Sequence, residues 1–242
     1  MILTVLGSSS SGNGYLLQDS QGNSLILEAG IKLKEIKKVL DFNLKGVKGC
    51  LISHRHGDHI KYAAEMMAAG IDVYTGDDNS LSGHRFIPIK EMQTVQIGPF
   101  KVKSFPLIHD VQTFGYLIDH EESGKVCFIT DTAYCAYNFS GLNNIIIEAN
   151  YCQDIMMRRF LDGSLNAMVR DRTTKSHMSF QNTLEFLSAN DLSKVNNIVL
   201  IHLSSGNADP EQFHKRTTEH TGKTVHIASK GVEIQLTKNP IL

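Results

Sequence analysis

The stretch Ser53–His59, "SHRHGDH", places three histidines and an aspartate within seven positions, directly after the apolar run "VKGCLI" at 47–52. Clustered imidazoles repel one another when protonated and have no simple packing use. Their density here points to cation binding. His54 and His56 lie two apart on extended backbone and face the same way, so they suit one ion. Asp58 and His59 follow at the turn into a helix expected over "DHIKYAAEMMAAG", 58–70, closed by Gly70. They face a second ion. A catalytic zinc takes three protein ligands and keeps one position open, so two ions need more donors than this stretch holds.

The rest of the chain offers them in one recurring context. His109 ends "FKVKSFPLIH" (100–109), Asp131 ends "KVCFITD" (125–131) and His202 ends "NNIVLIH" (196–202). Core packing does not select a histidine or carboxylate at the end of one apolar strand after another. In α/β folds, sites are built where a strand's carboxyl end runs into a loop. His84, His120, His214, His220 and His226 lack this context and read as surface or helix-face residues.

Periodicity organises the remainder. "MILTVLG" (1–7) reads as a strand, "SSSSGNG" (8–14) as a polar turn, and "YLLQ" (15–18) and "SLILEAG" (24–30) as hairpin arms. Leu33, Ile36 and Leu40 give "LKEIKKVLDFNL" (33–44) a helical face. Further strands are expected at "IDVYTG" (71–76), "TFGYLID" (113–119), "NNIIIEAN" (143–150), "TVHIAS" (224–229) and "VEIQLT" (232–237). Helices are expected at "QDIMMRRFL" (153–161), "FQNTLEFLSAN" (180–190) and "DPEQFHKRTTEH" (209–220), the last with Asp209 as N-cap, Pro210 after it and Gln212 at the third position. Each half, roughly 1–119 and 120–242, runs strands before helices. That order favours an α+β domain over residues 1–242, in which two mixed sheets pack together with helices outside.

Composition narrows the classes. The 242 residues are 41% hydrophobic and 20% charged, with a formal net charge of −1 and no tryptophan. A nucleic-acid partner would therefore need a local basic patch. No apolar run reaches bilayer length, so no membrane partner is expected. The apolar N-terminus lacks a basic region before it and reads as a strand, not a signal peptide. Cys50, Cys127, Cys135 and Cys152 form no CxxC pair and read as reduced thiols of a cytoplasmic protein.

The series His54-x-His56-x-Asp58-His59, His109, Asp131 and His202 resembles that of the metallo-β-lactamase fold superfamily, over essentially the whole chain. The resemblance implies a four-layer αββα sandwich with two divalent cations, Zn²⁺ or Mn²⁺, at one edge. It implies that His54, His56 and His109 hold one ion, that Asp58, His59 and His202 hold the other, and that Asp131 bridges. The commonest class B β-lactamases lack a histidine at the His59 position and have cysteine at that of Asp131, so antibiotic hydrolysis is not expected. The interval from Asp131 to His202 is too short for the inserted domain of ribonuclease J-type enzymes. "LGSSSSGNGYLL" (6–17), "LIHDVQTFGYLI" (107–118), "ITDT" (129–132), "IIIEANY" (145–151), "SHMSFQNTLEFL" (176–187) and "LIHLSSGNADPE" (200–211) resemble the small stand-alone WalJ/YycJ-like branch. That implies a 5′-directed DNA exonuclease, with DNA ahead of RNA as substrate.

Several residues are candidates for substrate handling. Ser9, Ser10, Ser11 and Asn13 lie in the small-residue turn, which reads either as an anion-binding nest or as a plain hairpin turn. Arg158, Arg159, Arg170, Arg172 and Lys175 stand against Asp162 and Asp171, as a phosphate-neutralising patch or a solvated helix face. His177 precedes Ser179, an N-cap candidate grouped with it as a substrate contact. His177 reads as a contact to the scissile phosphate or a proton donor to the leaving oxygen, or else as a further ligand or structural residue. Asp58 is the candidate proton acceptor. Glu148 and Asp110 read as partners of ligands. The chemistry expected is hydrolysis by a water activated between two cations. The alternative substrate is a small ester, thioester or lactone. A catalytically idle module would have no reason to keep all seven donors. The oligomeric state stays open.

Overall fold

The computed structural model describes residues 1–76 and 81–239. Strands β1 (Ile2–Ser9), β2 (Gly12–Gln18) and β3 (Ser24–Leu27) form an antiparallel meander. Helix α1 (Leu33–Val39) leads to β4 (Val47–Ile52), parallel to β3. Helices α2 (Gly57–Ile60) and α3 (Ala63–Ala68) lead to β5 (Val73–Thr75) and β6 (Phe86–Pro88). The chain then changes sheets. Strands β7 (Thr94–Ile97), β8 (Phe100–Leu107), β9 (Thr113–His120) and β10 (Gly124–Ile129) run antiparallel. Strand β11 (Leu142–Glu148) and helices α4 (Gln153–Leu161), α5 (Ala167–Ser176) and α6 (Phe180–Ala189) follow. Strand β12 (Asn197–Ile201), helix α7 (Pro210–Thr221) and strand β13 (Thr224–Ile227) extend the second sheet in parallel. Strand β14 (Glu233–Gln235) returns to pair with β1.

The sheet orders are β14-β1-β2-β3-β4-β5-β6 and β13-β12-β11-β10-β9-β8-β7. The switch falls between Pro88 and Thr94, upstream of the division expected at 119 and 120, and β14 crosses back. Alternation along buried strands builds the layers. In β10, Val126 and Phe128 join the core between the sheets, while Cys127 and Ile129 face the helices α6 and α7. In β4, Leu51 faces the other sheet while Cys50 and Ile52 pack under α1 and α3. Both faces of these strands are buried, which is why they read as continuous apolar runs. Three cores thus separate four layers, and the architecture is the αββα sandwich of the metallo-β-lactamase fold. Tyr116 of β9 donates to the Ile52 carbonyl at 2.7 Å, tying the two sheets together directly beneath the histidine stretch.

Local differences from the sequence reading have local causes. The helix expected over 58–70 is two helices, because Ala29 takes part of its backbone: Ala29 N–H donates to the His59 carbonyl and Tyr62 N–H donates to the Ala29 carbonyl. Residues 8–14 are mostly strand. Ser8 and Ser9 extend β1 and Gly12 opens β2, leaving Ser10 and Ser11 as the turn. His120 is buried, packed on Phe100 and 3.3 Å from Asp19, not on the surface. Among the described residues, no helix is long and apolar enough to cross a membrane.

Candidate metal centre

Strands β3, β4, β10, β11 and β12 all deliver their carboxyl ends to one edge of the sandwich. The residues just past those ends are Glu28, His54, Asp131, Glu148 at the last position of its own strand, and His202. Three of them have left-handed backbone: Glu28 (φ 68°), Asp131 (φ 45°) and His202 (φ 55°). Such a conformation costs about 1–3 kcal/mol for a residue with a side chain and persists where the surroundings impose it. Here it turns the chain at the point where each side chain meets the cluster.

Two donor sets result. The ligating atoms of His54, His56, His109 and Asp131 lie within 4.8 Å of one another, as do those of Asp58, His59, Asp131 and His202. The rings of His54, His56 and His109 form a triangle with centroids 4.6 to 4.9 Å apart. Asp131 belongs to both sets. A third set joins Asp131 and His202 to Glu148 and His177.

The electrostatics fit cations. Burial, reinforced by His59, holds the His54 imidazole well below its usual pKa. His54 Nε2 is buried and has no hydrogen-bond partner among the described residues. A desolvated lone pair of this kind costs about 1–3 kcal/mol unless something accepts it, and a divalent cation is the natural acceptor among imidazoles and carboxylates. Burial also lowers the pKa of His109. Burial pushes Asp131 upward, but His202, His59 and His54 outweigh it and hold the carboxyl well below the usual range. Two divalent cations therefore suit these seven residues, His54, His56, His109, Asp58, His59, His202 and Asp131.

Oxygen acceptors fix the tautomers of His109 and His202, and other groups face the remaining rings. His109 Nδ1–H donates to the Ser176 carbonyl at 2.7 Å, leaving Nε2 free for a cation. His202 Nδ1–H donates to Asn13 Oδ1 at 2.9 Å. Ser53 Oγ lies 2.8 Å from His54 Nδ1. His59 Nδ1 faces Glu28 at 3.2 Å, and Glu28 also accepts from the Ser53 amide. Orienting partners of this kind raise ligand basicity and fix ring direction.

The remaining sequence candidates divide by position. Ser10 lines the cavity over the donor sets, together with Asp58, Asp110, Arg172, Ser176 and His177. Ser9 Oγ accepts from Ser11 N–H and holds the turn. Asn13 is fully buried, with its amide spent on His202, Asp58 and His59, so it stands beneath the ligands and offers nothing to solvent. Ser179 caps α6, accepting from Asn182 N–H, and is buried. Asp110 lies 3.2 Å from His56 Nε2 and 3.1 Å from His109 Nε2. Glu148 accepts from Thr132 N–H, Met178 N–H and His177 Nδ1–H.

Glu28 escaped the sequence reading although "SLILEAG" carries the same signal as the others, a charged residue closing an apolar strand. The next turn passes so close that a Cβ at Gly30 would overlap the Asp58 carbonyl. Glu28→Gln is expected to weaken cation binding about 10- to 100-fold, the usual cost of losing a ligand's orienting carboxylate. Competition against a chromophoric chelator measures it, and wild-type affinity in the variant would mean that Glu28 does not position His59.

Comparison with known proteins agrees with this geometry. Residues 32–203 match the family described as beta-lactamase superfamily domain. A curated relative, the exodeoxyribonuclease YycJ of Bacillus anthracis, is 28% identical over 177 residues, covering 64% of this chain and 64% of that protein. The chain thus matches slightly less than two thirds of that relative's length. The metallo-beta-lactamase fold protein YhfI of Bacillus subtilis superposes with a TM-score of 0.72 at 19% identity, over 97% of this chain and 99% of that one. Zinc-bound PqqB of Methylobacterium extorquens gives 0.73 at 11% identity, over 98% and 100%. The strand-end donors, the four layers and a family match across most of the sequence lead to one conclusion: the chain belongs to the beta-lactamase superfamily and has the metallo-β-lactamase fold, with candidate metal-binding residues gathered at one edge.

Proposed function

We propose that the protein hydrolyses phosphodiester bonds, as a nuclease acting on DNA from the 5′ end with Zn²⁺ or Mn²⁺. The observation that carries the reading is the pair Glu148 and His177 at the rim of the donor sets. Glu148 Oε1 accepts from His177 Nδ1–H at 2.7 Å, and His177 lines the cavity beside Arg172. Burial opposes protonation of His177, but Glu148 prevails and raises its pKa to about 9. A protonated imidazole and a guanidinium beside the ligands suit an anionic substrate with a poor alkoxide leaving group better than they suit a neutral thioester or lactone. The similarity to an exodeoxyribonuclease supports the same substrate class.

Bound at the two donor sets, divalent cations supply Lewis-acid charge and a nucleophile at neutral pH. The chain's own residues do the rest. Asp131 and Asp58 keep carboxylate charge at the cluster, and Asp58, at the cavity wall, accepts a proton. His177 gives its Nε2 proton to the departing oxygen while Glu148 holds the ring through Nδ1. Arg172 and the exposed hydroxyl of Ser10 contact phosphate oxygens. Cys50, Cys127, Cys135 and Cys152 are free thiols, which suits a reducing, cytoplasmic setting.

The test uses metal-depleted protein with Zn²⁺ or Mn²⁺ restored. It is incubated with 5′-labelled single- and double-stranded DNA and RNA, and with thioester and lactone substrates. The expected result is release of label from DNA at the 5′ end. Thioester or lactone turnover with intact nucleic acid would refute the nuclease reading.

A further inference from the structure

Helices α4 and α5 leave large apolar side chains in solvent beside the metal centre. Leu161 is 76% exposed and Met168 79%, the two highest values among the exposed large apolar residues described, and Met157 and Val169 accompany them. The same two helices and their connection carry Arg158, Arg159, Arg170, Arg172 and Lys175 against Asp154, Asp162 and Asp171, in a chain of net charge −1. Two of these cations are structural. Arg170 lies over the Phe160 ring at 3.9 Å and pairs with Asp171, which clamps α5 onto α4. Arg159 donates to Asn207 and Ser164. Arg172 and Lys175 remain exposed.

Spacing links these groups to the site. Met168, Arg172 and Lys175 recur at i, i+4 and i+7 and share one face of α5. That stripe runs toward Ser176, whose carbonyl holds His109, and Arg172 already lines the cavity. From Met168 to Ser176 the helix rises about 12 Å, the reach of a few nucleotides. A surface that sets exposed apolar side chains beside two exposed cations complements a polymer that carries exposed base faces beside phosphates. A duplex hides its base faces, so the match is to a single strand.

We propose that α4–α5 is a strand-holding platform. Single-stranded nucleic acid leaving the metal centre lays its bases on Met168, Val169 and Leu161 and sets its phosphates against Arg172 and Lys175. The inference rests on the phosphodiesterase reading above.

Fluorescence anisotropy on the cation-loaded full chain tests it. The probes are labelled phosphorothioate oligothymidylates, which resist cleavage, from a dinucleotide to a dodecamer. Wild-type affinity is expected to rise with length. Met168→Asp and Leu161→Asp should lose about tenfold on the dodecamer but less than about twofold on the dinucleotide, because each removes an apolar contact and sets a carboxylate against a strand that only the longer probe lays there. Lys175→Ala should flatten the slope of log affinity against log salt by about 0.7, the value for one phosphate on a single strand. Melting temperatures and cation content report that each variant is folded. Dodecamer binding as tight as wild type in the Asp variants overturns the platform, as does a wild type whose affinity ignores length. A dimer that Met168→Asp splits overturns it too, since the patch would then cover a second copy. Failure of the nuclease reading is scored separately: a protein that binds the dodecamer through Met168 yet cleaves no phosphodiester keeps the platform and loses the nuclease.

Discussion

Asp131→Asn is expected to lower phosphodiester turnover by about 10³-fold or more, because cation charge at a reacting oxygen is worth several kcal/mol and each 1.4 kcal/mol is tenfold. Asp131 is shared by both donor sets and by the third set with Glu148 and His177. It is 2% exposed, held in left-handed backbone, and kept ionised by three imidazoles that outweigh its burial. The asparagine keeps the shape and removes the charge those imidazoles face. Bound cation should fall with activity when both are measured on the same sample, by elemental analysis and by an oligonucleotide assay. A variant retaining two cations and wild-type turnover would remove Asp131 from the centre.

The second large effect belongs to His177. His177→Ala is expected to cost about 10²- to 10⁴-fold in kcat, the range of a positioned general acid, while cation content stays near wild type. Loss of cation would make His177 a ligand instead, as its place in the third donor set allows. The pH profile separates its two roles further. His177 is active when protonated, so activity is present below its pKa and fades as pH rises through it. Glu148 raises that pKa to about 9. In Glu148→Gln the support is gone, so the basic limb should move to lower pH. An unmoved limb would mean that another group donates the proton.

How much of this was legible in the sequence depends on where each signal lives. The seven candidate donors were readable because a dense histidine cluster and continuous apolar runs ending in histidine or aspartate are local signals, and the strands of a sandwich bring such ends to one edge. Asn13 was not readable in the same way. It sits among small polar residues at the start of β2, and its partner His202 lies 189 positions away. Only the folded chain shows that the β1–β2 hairpin passes under His202. Helix α5 was invisible for another reason. "AMVRDRTTKS" buries just Thr173 and Ser176 and has no apolar period. It forms because Asn166 caps it, accepting from Met168 N–H at 2.8 Å, and because Arg170 stacks on Phe160 of α4. The basic residues of 158–175 were visible as a charge excess, but their division into clamp and free face needed the helix.

The two halves of the site also mirror each other, which no motif announced. Glu28 closes β3, accepts the Ser53 amide and faces His59; Glu148 closes β11, accepts the Thr132 amide and holds His177. In each half an acidic strand end supports the neighbouring strand's exit and one histidine ring. The same device holds His59 of the candidate donor sets in one half and His177, the proposed proton donor, in the other.

The most direct measurement is a titration of metal-depleted protein with Zn²⁺ or Mn²⁺, counting bound cation per chain while following hydrolysis of one phosphodiester substrate. Two donor sets sharing Asp131 predict that binding saturates at two cations and that turnover develops with the second. Full turnover at one cation per chain, or saturation at one, would contradict the two-cation centre.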